Sequence, residues 1–401
     1  MSRHRLEVAD VIRQHEGELL ERWGHRLSAR QRKALRDIGS CRSAAQGAHI
    51  EQCDSCSQER IAYNSCSNRH CPKCQSAARD RWLGARAQEL LPVHYCHVVF
   101  TVPGALAMLA LQNQRLFYRL LFEAASQSLQ QLARDPKRLG AQIGFFAVLH
   151  TWNQILLPHP HLHCVVPAGG MALDGSRWIR CRKKFFLPVR PLSRLFRGKL
   201  LDGLRRAFEH GELELDRQLA PLTKPERFHS WLRELRTTEW VVYLKPPMAG
   251  PEQVLKYLAR YTHRVAISNG RLRSLHDGRL RLRFRNAKNN HRIETMTLDA
   301  VEFLRRFLLH VLPRGFVKIR YYGFLAHRRR AAGLARCREL LQASATREVP
   351  PALLSKEQRR AVERRCPLCG EGRLRVVAWL SALELALRAG AMALPEAIDS
   401  S

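Results

Sequence analysis

Between Cys41 and Cys74 the hydrophobic periodicity of the chain disappears, and cysteine, serine, asparagine and glycine take its place. A stretch of that composition has no apolar face to bury, so it holds a fold only if something else cross-links it. The spacing says what. Cys53 and Cys56 form one Cys-x-x-Cys pair and Cys71 and Cys74 a second, with residues 57–70 between them. That is close to the pattern of four-cysteine zinc ribbons, in which each pair sets two thiolates about 2.3 Å from one ion. The expected ligand set is Cys53, Cys56, Cys71 and Cys74. Cys66 and His70 are alternates in the same segment, and with His49 they leave room for a second ion. A zinc closed in by four thiolates has no open coordination position, which gives it a structural role and leaves chemistry to other residues. Far downstream, Cys366 and Cys369 form another pair. Two thiols cannot complete a tetrahedron, so this pair needs Cys337 or some other distant ligand.

Reading cysteines as ligands presumes a reducing compartment. The N-terminus, Met1 to Glu7, is followed by a charged helical pattern and not by an apolar run, so no signal peptide is expected and the chain is placed in the cytosol. The longest apolar stretch, around Val98 to Leu111, is broken by Pro103 and falls short of the ~18 residues of a spanning helix. With 401 residues, 45% of them hydrophobic, the chain can bury a real core and hold two or three domains. Lysine and arginine number 68 against 35 acidic residues, a formal charge of +33, and the basic residues run along most of the chain. A polyanionic partner is the simplest account of that imbalance.

Periodicity predicts an amphipathic helical start over residues 1–40, then the cysteine segment, then a helix over Ala77 to Leu91. His94 to Val102 reads as a buried strand ended by Pro103 and Gly104. Residues 105–134, 192–210, 225–236 and 252–262 read as helices, and Ile143 to His150, Leu162 to Val166 and Glu239 to Leu244 as strands. Gly278 to Arg285 alternates leucine and arginine in strand fashion, and Leu298 to Val311 is helical. The expected class is α+β. The boundaries drawn are a helical and zinc-binding domain at 1–92, a central domain at 93–345 and a basic C-terminal section at 346–401.

The chemistry-bearing motif lies in the central part. In Pro158-His159-Pro160-His161-Leu162-His163-Cys164, His161 and His163 are one residue apart at the start of an apolar run, and alternate residues of a strand share a face. Two imidazoles side by side are half of a metal site. Upstream, Gln154 offers an amide oxygen as third ligand, in preference to His150 and His159. Tyr257 and Tyr261 are four apart in a helical pattern, which puts both hydroxyls on one side. A tyrosine hydroxyl can attack a phosphodiester when a metal ion and nearby cations favour the phenolate, and the phosphotyrosine link then conserves the bond for rejoining. Mg2+ or Mn2+ suits that task. His263 and Arg264 follow the tyrosines and are placed to touch phosphate. The run His327-Arg328-Arg329-Arg330 and the arginines 359, 360, 364 and 365 read as DNA-binding surface.

Several of these segments together resemble one family, the two-tyrosine HUH transposases that move bacterial insertion sequences by a rolling-circle route. The resemblance is carried by Asn64 to Gln75, by His97 to Pro103, by His161-Leu162-His163, by Tyr257 to Arg264 and by Arg306 to Pro313. It implies a central antiparallel sheet flanked by helices in the manner of HUH endonucleases, with His161 and His163 as metal ligands and Tyr257 and Tyr261 as nucleophiles. It also implies single-stranded or locally melted DNA as the substrate and a bacterial, nucleoid-associated location. A rolling-circle replication initiator or relaxase would share the histidines and tyrosines, though it usually lacks such a zinc segment, and no Gly-x-x-x-x-Gly-Lys-Ser/Thr loop is present. A zinc-dependent DNA-binding regulator would leave the histidine pair without a role.

Overall fold

The computed structural model describes residues 6–182, 186–248, 254, 266–286, 289–341 and 365–391. In chain order its first elements are α1 (Val8–Trp23), α2 (Ala29–Gly39), β1 (Ala48–Cys53), β2 (Glu59–Tyr63), α3 (Pro72–Ala87), β3 (Tyr95–Thr101), α4 (Ala107–Gln112) and α5 (Gln114–Arg134). There follow β4 (Ala141–Gln142), β5 (Gly144–Trp152), β6 (Pro158–Pro167), β7 (Gly169–Ala172), β8 (Trp178–Arg180), α6 (Val189–Glu209), α7 (Pro225–Thr237) and β9 (Val242–Met248). The last are β10 (Leu272–His276), β11 (Arg279–Asn286), β12 (Arg292–Asp299), α8 (Ala300–Leu308), β13 (Ile319–Gly323), α9 (Arg330–Leu340), β14 (Leu374–Leu380) and α10 (Ala382–Ala391). Helices and antiparallel sheets are mixed, as the α+β expectation requires.

The chain divides into two compact units, and the first is assembled from three stretches: 1–84, 267–305 and 350–401. Its helical start is a pair. Ser28 caps α2 through Gln31, in a reciprocal box of the kind that satisfies the free N–H groups of a first turn. Val8, Val11, Ile12 and Leu19 of α1 and Leu35 and Ile38 of α2 are the apolar positions that this pairing buries. The alternation in β11 sends Leu280 and Leu282 inward and leaves Arg279, Arg281 and Arg285 exposed. The meander β10-β11-β12 belongs with the first helix: Val8 donates its N–H to Asn269 Oδ1 at 3.2 Å, and the Trp23 ring lies under both Arg26 and Arg305.

The boundaries read from sequence are therefore redrawn. Residues 267–305 leave the central domain, and the described C-terminal residues do not stand alone, because β14 pairs antiparallel with β1 from Ala48 opposite Leu380 to Cys53 opposite Leu374. A strand without a core of its own finds its hydrogen bonds on an edge that the N-terminal segment left open.

The second unit, 85–266 with 306–349, is built on a five-stranded antiparallel sheet in the order β13-β5-β6-β3-β9. β6 is the middle strand. One face of the sheet carries Cys96, Val98, Phe100, Leu149, Leu162, Cys164 and Val166, all buried in one cluster with Phe117, Leu121 and Phe122 of α5 and Phe196 and Leu200 of α6. β6 begins at Pro158, earlier than the expected Leu162. β3 ends at Thr101 opposite His161, so residues 158–160 have a strand on one side, a position that tolerates prolines without an amide hydrogen. At the end of β13 the chain turns at Gly323 with φ of +61°, where any Cβ would collide with the carbonyl oxygen of Ile143.

Candidate metal centre and cysteine sites

The sheet register builds the histidine site. Leu162 points into the core, so His161 and His163 stand on the other face of β6. His150 of β5 lies directly opposite His161, and cross-strand partners share a face. A third imidazole thus joins the pair. Ring centroids are 4.4 Å apart for His150 and His163, 4.9 Å for His161 and His163, and 5.3 Å for His150 and His161. One ligand nitrogen from each lies within 4.8 Å of the others.

A fourth histidine holds the arrangement from behind. His97 of β3, opposite Val165, is on the same face, and its Nε2 is 2.9 Å from Nδ1 of His163, the two rings being stacked. With Nδ1 engaged there, Nε2 of His163 is the nitrogen left for an ion. His161 donates from Nδ1 to the carbonyl oxygen of His159 at 2.7 Å, which leaves its Nε2 lone pair for the same purpose. Burial holds His161 down at a pKa of about 4. Burial, with Lys245 opposite, holds His97 at about 3. These rings are neutral near pH 7, the form in which imidazole binds metal. Three nitrogen donors, with no carboxylate clustered beside them among the described residues, fit Mn2+ better than Mg2+.

Gln154, preferred as third ligand on sequence, lies exposed in the turn between β5 and β6, and His150 is the side chain that the hairpin brings to the pair. The place of His150 follows from the register of β5 on β6, which the expected strand ends at 150 and 162 do not give. Tyr257, Tyr261, His263 and Arg264 lie outside the described residues. Arg328 and Arg329 are exposed, but Arg330 stacks on Tyr321 and pairs with Glu89, so it serves the fold of this unit.

The cysteines sort differently from the expected set. Cys71 and Cys74 join Cys41 and the alternate Cys66, and Cys53 and Cys56 lie instead beside Cys366 and Cys369. Nearness in sequence misled because Cys53 closes β1 and faces the incoming β14, while Cys71 and Cys74 open α3 beside the turn after α2. His70, the other alternate, is buried but outside both sets, and His49 meets Asn64 Oδ1 at 2.9 Å. In the first set Cys74 is 3.6 Å from Cys41 and 3.7 Å from Cys66, and Cys41 is 3.6 Å from Cys71. Sulfurs bound tetrahedrally at 2.3 Å stand about 3.8 Å apart, and a disulfide would need about 2.05 Å. Hydrogen bonds from Cys66 and then Cys71 hold the Cys41 thiol down at about 2, while the hydrogen bonds shared with Cys41 push Cys71 up to about 12 and Cys66 up as well.

Comparison with known proteins gives the chain a family. Residues 11–102 match the family described as "Transposase zinc-binding domain", and residues 144–332 the family described as "Putative transposase". A protein of Sinorhizobium fredii named "Putative transposase y4qJ" is 51% identical over 384 residues, covering 93% of this chain and 95% of its own length. The "Transposase for insertion sequence element IS801" of Pseudomonas savastanoi pv. phaseolicola is 29% identical over 87% of this chain and 85% of its own. No solved structure matches. Among the described residues no helix is long and apolar enough to cross a membrane. With a zinc-binding domain toward the N-terminus, a matching central region and a relative this similar along nearly its whole length, the chain belongs to the IS91 type of insertion-sequence transposases.

Proposed function

We propose that this transposase cuts and rejoins single-stranded DNA through 5′-phosphotyrosine links in rolling-circle transposition, with Tyr257 and Tyr261 as nucleophiles. The observation that carries the reading is the convergence of His150, His161 and His163 on one face of the middle strand. His163 is oriented by His97, and His161 by the His159 carbonyl, before any ion arrives. A bound Mn2+ or Mg2+ would neutralise the scissile phosphate and polarise it for in-line attack. In cleavage a tyrosine oxygen bonds to phosphorus as the bond to the 3′ oxygen breaks; the phenolic proton is lost and the departing oxygen gains one, leaving a free 3′ hydroxyl. Attack by another strand's 3′ hydroxyl reverses the step and rejoins DNA without a nucleotide cofactor. The second tyrosine holds the other strand during transfer. Arg328 and Arg329, with His263 and Arg264, supply phosphate contacts along the strand.

The test uses labelled single-stranded oligonucleotides from the ends of the protein's own element, incubated with Mn2+. Wild type forms a covalent adduct that survives detergent, and the double variant Tyr257→Phe/Tyr261→Phe forms none. His150→Ala lowers the adduct rate by about 10- to 100-fold, the range for loss of a metal ligand or its support. An adduct that persists in the double tyrosine variant overturns the mechanism.

A further inference from the structure

We propose that Cys53, Cys56, Cys366 and Cys369 form a second zinc site, which fastens the C-terminal segment to the N-terminal module. Both family matches end before Cys366, at residues 102 and 332, so half of the ligands come from a part of the chain that neither covers. The four sulfurs lie within 4.8 Å of one another, with Cys53 and Cys369 3.8 Å apart and Cys56 and Cys366 3.7 Å apart. Those separations are what tetrahedral zinc imposes and far exceed a disulfide.

The backbone around the site is built in duplicate. In each pair the N–H four residues on returns to the carbonyl of the first cysteine: Ser57 to Cys53 at 3.1 Å and Gly370 to Cys366 at 2.9 Å. The same two residues take left-handed φ values, 57° and 72°. Ser57 adopts that conformation despite its side chain, so the turn is imposed by its surroundings and not by local preference. Backbone N–H groups point at sulfur on both sides, from Ser55 and Cys56 to Cys53 Sγ at 3.4 Å and from Gly372 to Cys369 Sγ at 3.3 Å. Such donors stabilise thiolate over thiol.

The two halves are also matched to each other. Asp54 accepts from the Arg373 N–H at 2.7 Å and pairs with the Arg375 guanidinium, while its own N–H donates to the Arg373 carbonyl at 3.0 Å. Gly372 has no room for a side chain, since a Cβ there would strike Cys53 Sγ and lie 2.6 Å from the Ser55 Cβ. Four soft thiolates in a tetrahedron select zinc over Mg2+ or Mn2+, with iron as the competitor for the same donors. The docked β14 then sets the exposed Trp379 against His49, ring centroids 5.2 Å apart, beside Arg42, Arg60 and Tyr63.

The decisive measurement is metal content of the purified full chain. Two zinc ions per chain are expected, with zinc-edge X-ray absorption giving an average of four sulfurs at about 2.3 Å. Cys366→Ser/Cys369→Ser should carry one, and Cys71→Ser/Cys74→Ser should also carry one, each variant losing a different ion. One zinc per wild-type chain, an average sulfur count below four, iron in place of zinc, or two zinc ions retained by the 366/369 variant would each overturn the proposal. The wild-type readings decide the matter even if a variant fails to fold.

Discussion

His310 shows how one residue can tie acid sensitivity to the fold. It is buried in the second unit, where its Nδ1 meets the Thr151 hydroxyl at 3.1 Å and its Nε2 the Leu156 carbonyl at 3.0 Å. The neutral ring with hydrogen on Nε2 satisfies both: it donates to the carbonyl and accepts from the hydroxyl. A second proton has no acceptor, and burial lowers the pKa from 6.5 to about 4. Above pH 6.5 neither the folded nor the unfolded chain binds that proton, and stability is unaffected. From 6.5 down to about 4 the unfolded chain takes up a proton that the folded chain refuses, so stability falls, by at most about 3 kcal/mol for this group. Urea unfolding of wild type and His310→Gln at pH 7 and pH 4.5 checks the sign: the variant should lose less on acidification than wild type.

At the scale of elements, the middle strand works through its two faces. A one-residue slip of β6 would exchange His161 and His163 with Leu162 and Cys164, so the same packing that buries the leucine aims the histidines. The two functions should separate on mutation. Leu162→Ala is expected to cost about 2–5 kcal/mol in thermal unfolding while Mn2+ affinity stays within a few-fold of wild type. His163→Gln should keep the melting temperature within a few degrees and lower Mn2+ affinity at least 10-fold by titration. This strand also marks how far the sequence could be read. Alternation and the histidine motif were legible locally, as were the leucine and arginine faces of β11. His150 was not, because it depends on which residue a neighbouring strand sets opposite. The partners of Cys53 and Cys56 were harder still, since a pairing across more than three hundred residues leaves no local trace, while Cys71 nearby offered a false match.

The whole molecule is a strongly charged one, and release of counterions is expected to contribute heavily to its binding of DNA. With a formal charge of +33, DNA binding should weaken steeply with salt, the logarithm of affinity falling linearly with the logarithm of salt concentration. Arg328→Ala/Arg329→Ala should shallow that slope by about 1–2, with little preference among sequences, if both side chains touch phosphate. Arg330→Ala should act on stability instead, since its guanidinium lies over Tyr321 and against Glu89.

The interleaving of the two units puts a clock into the making of the protein. Cys53 and Cys56 leave the ribosome some three hundred residues before Cys366 and Cys369, the residues they end up beside. At translation speeds of about 5–20 residues per second, the first pair waits roughly 15–60 s for the second. The strands of the second unit's sheet have all been made once β13 has emerged, a few seconds before that wait is over. A chain cut short between β13 and Cys366 would therefore be expected to hold the three histidines of its sheet while Cys53 and Cys56 lack the partners they lie beside here.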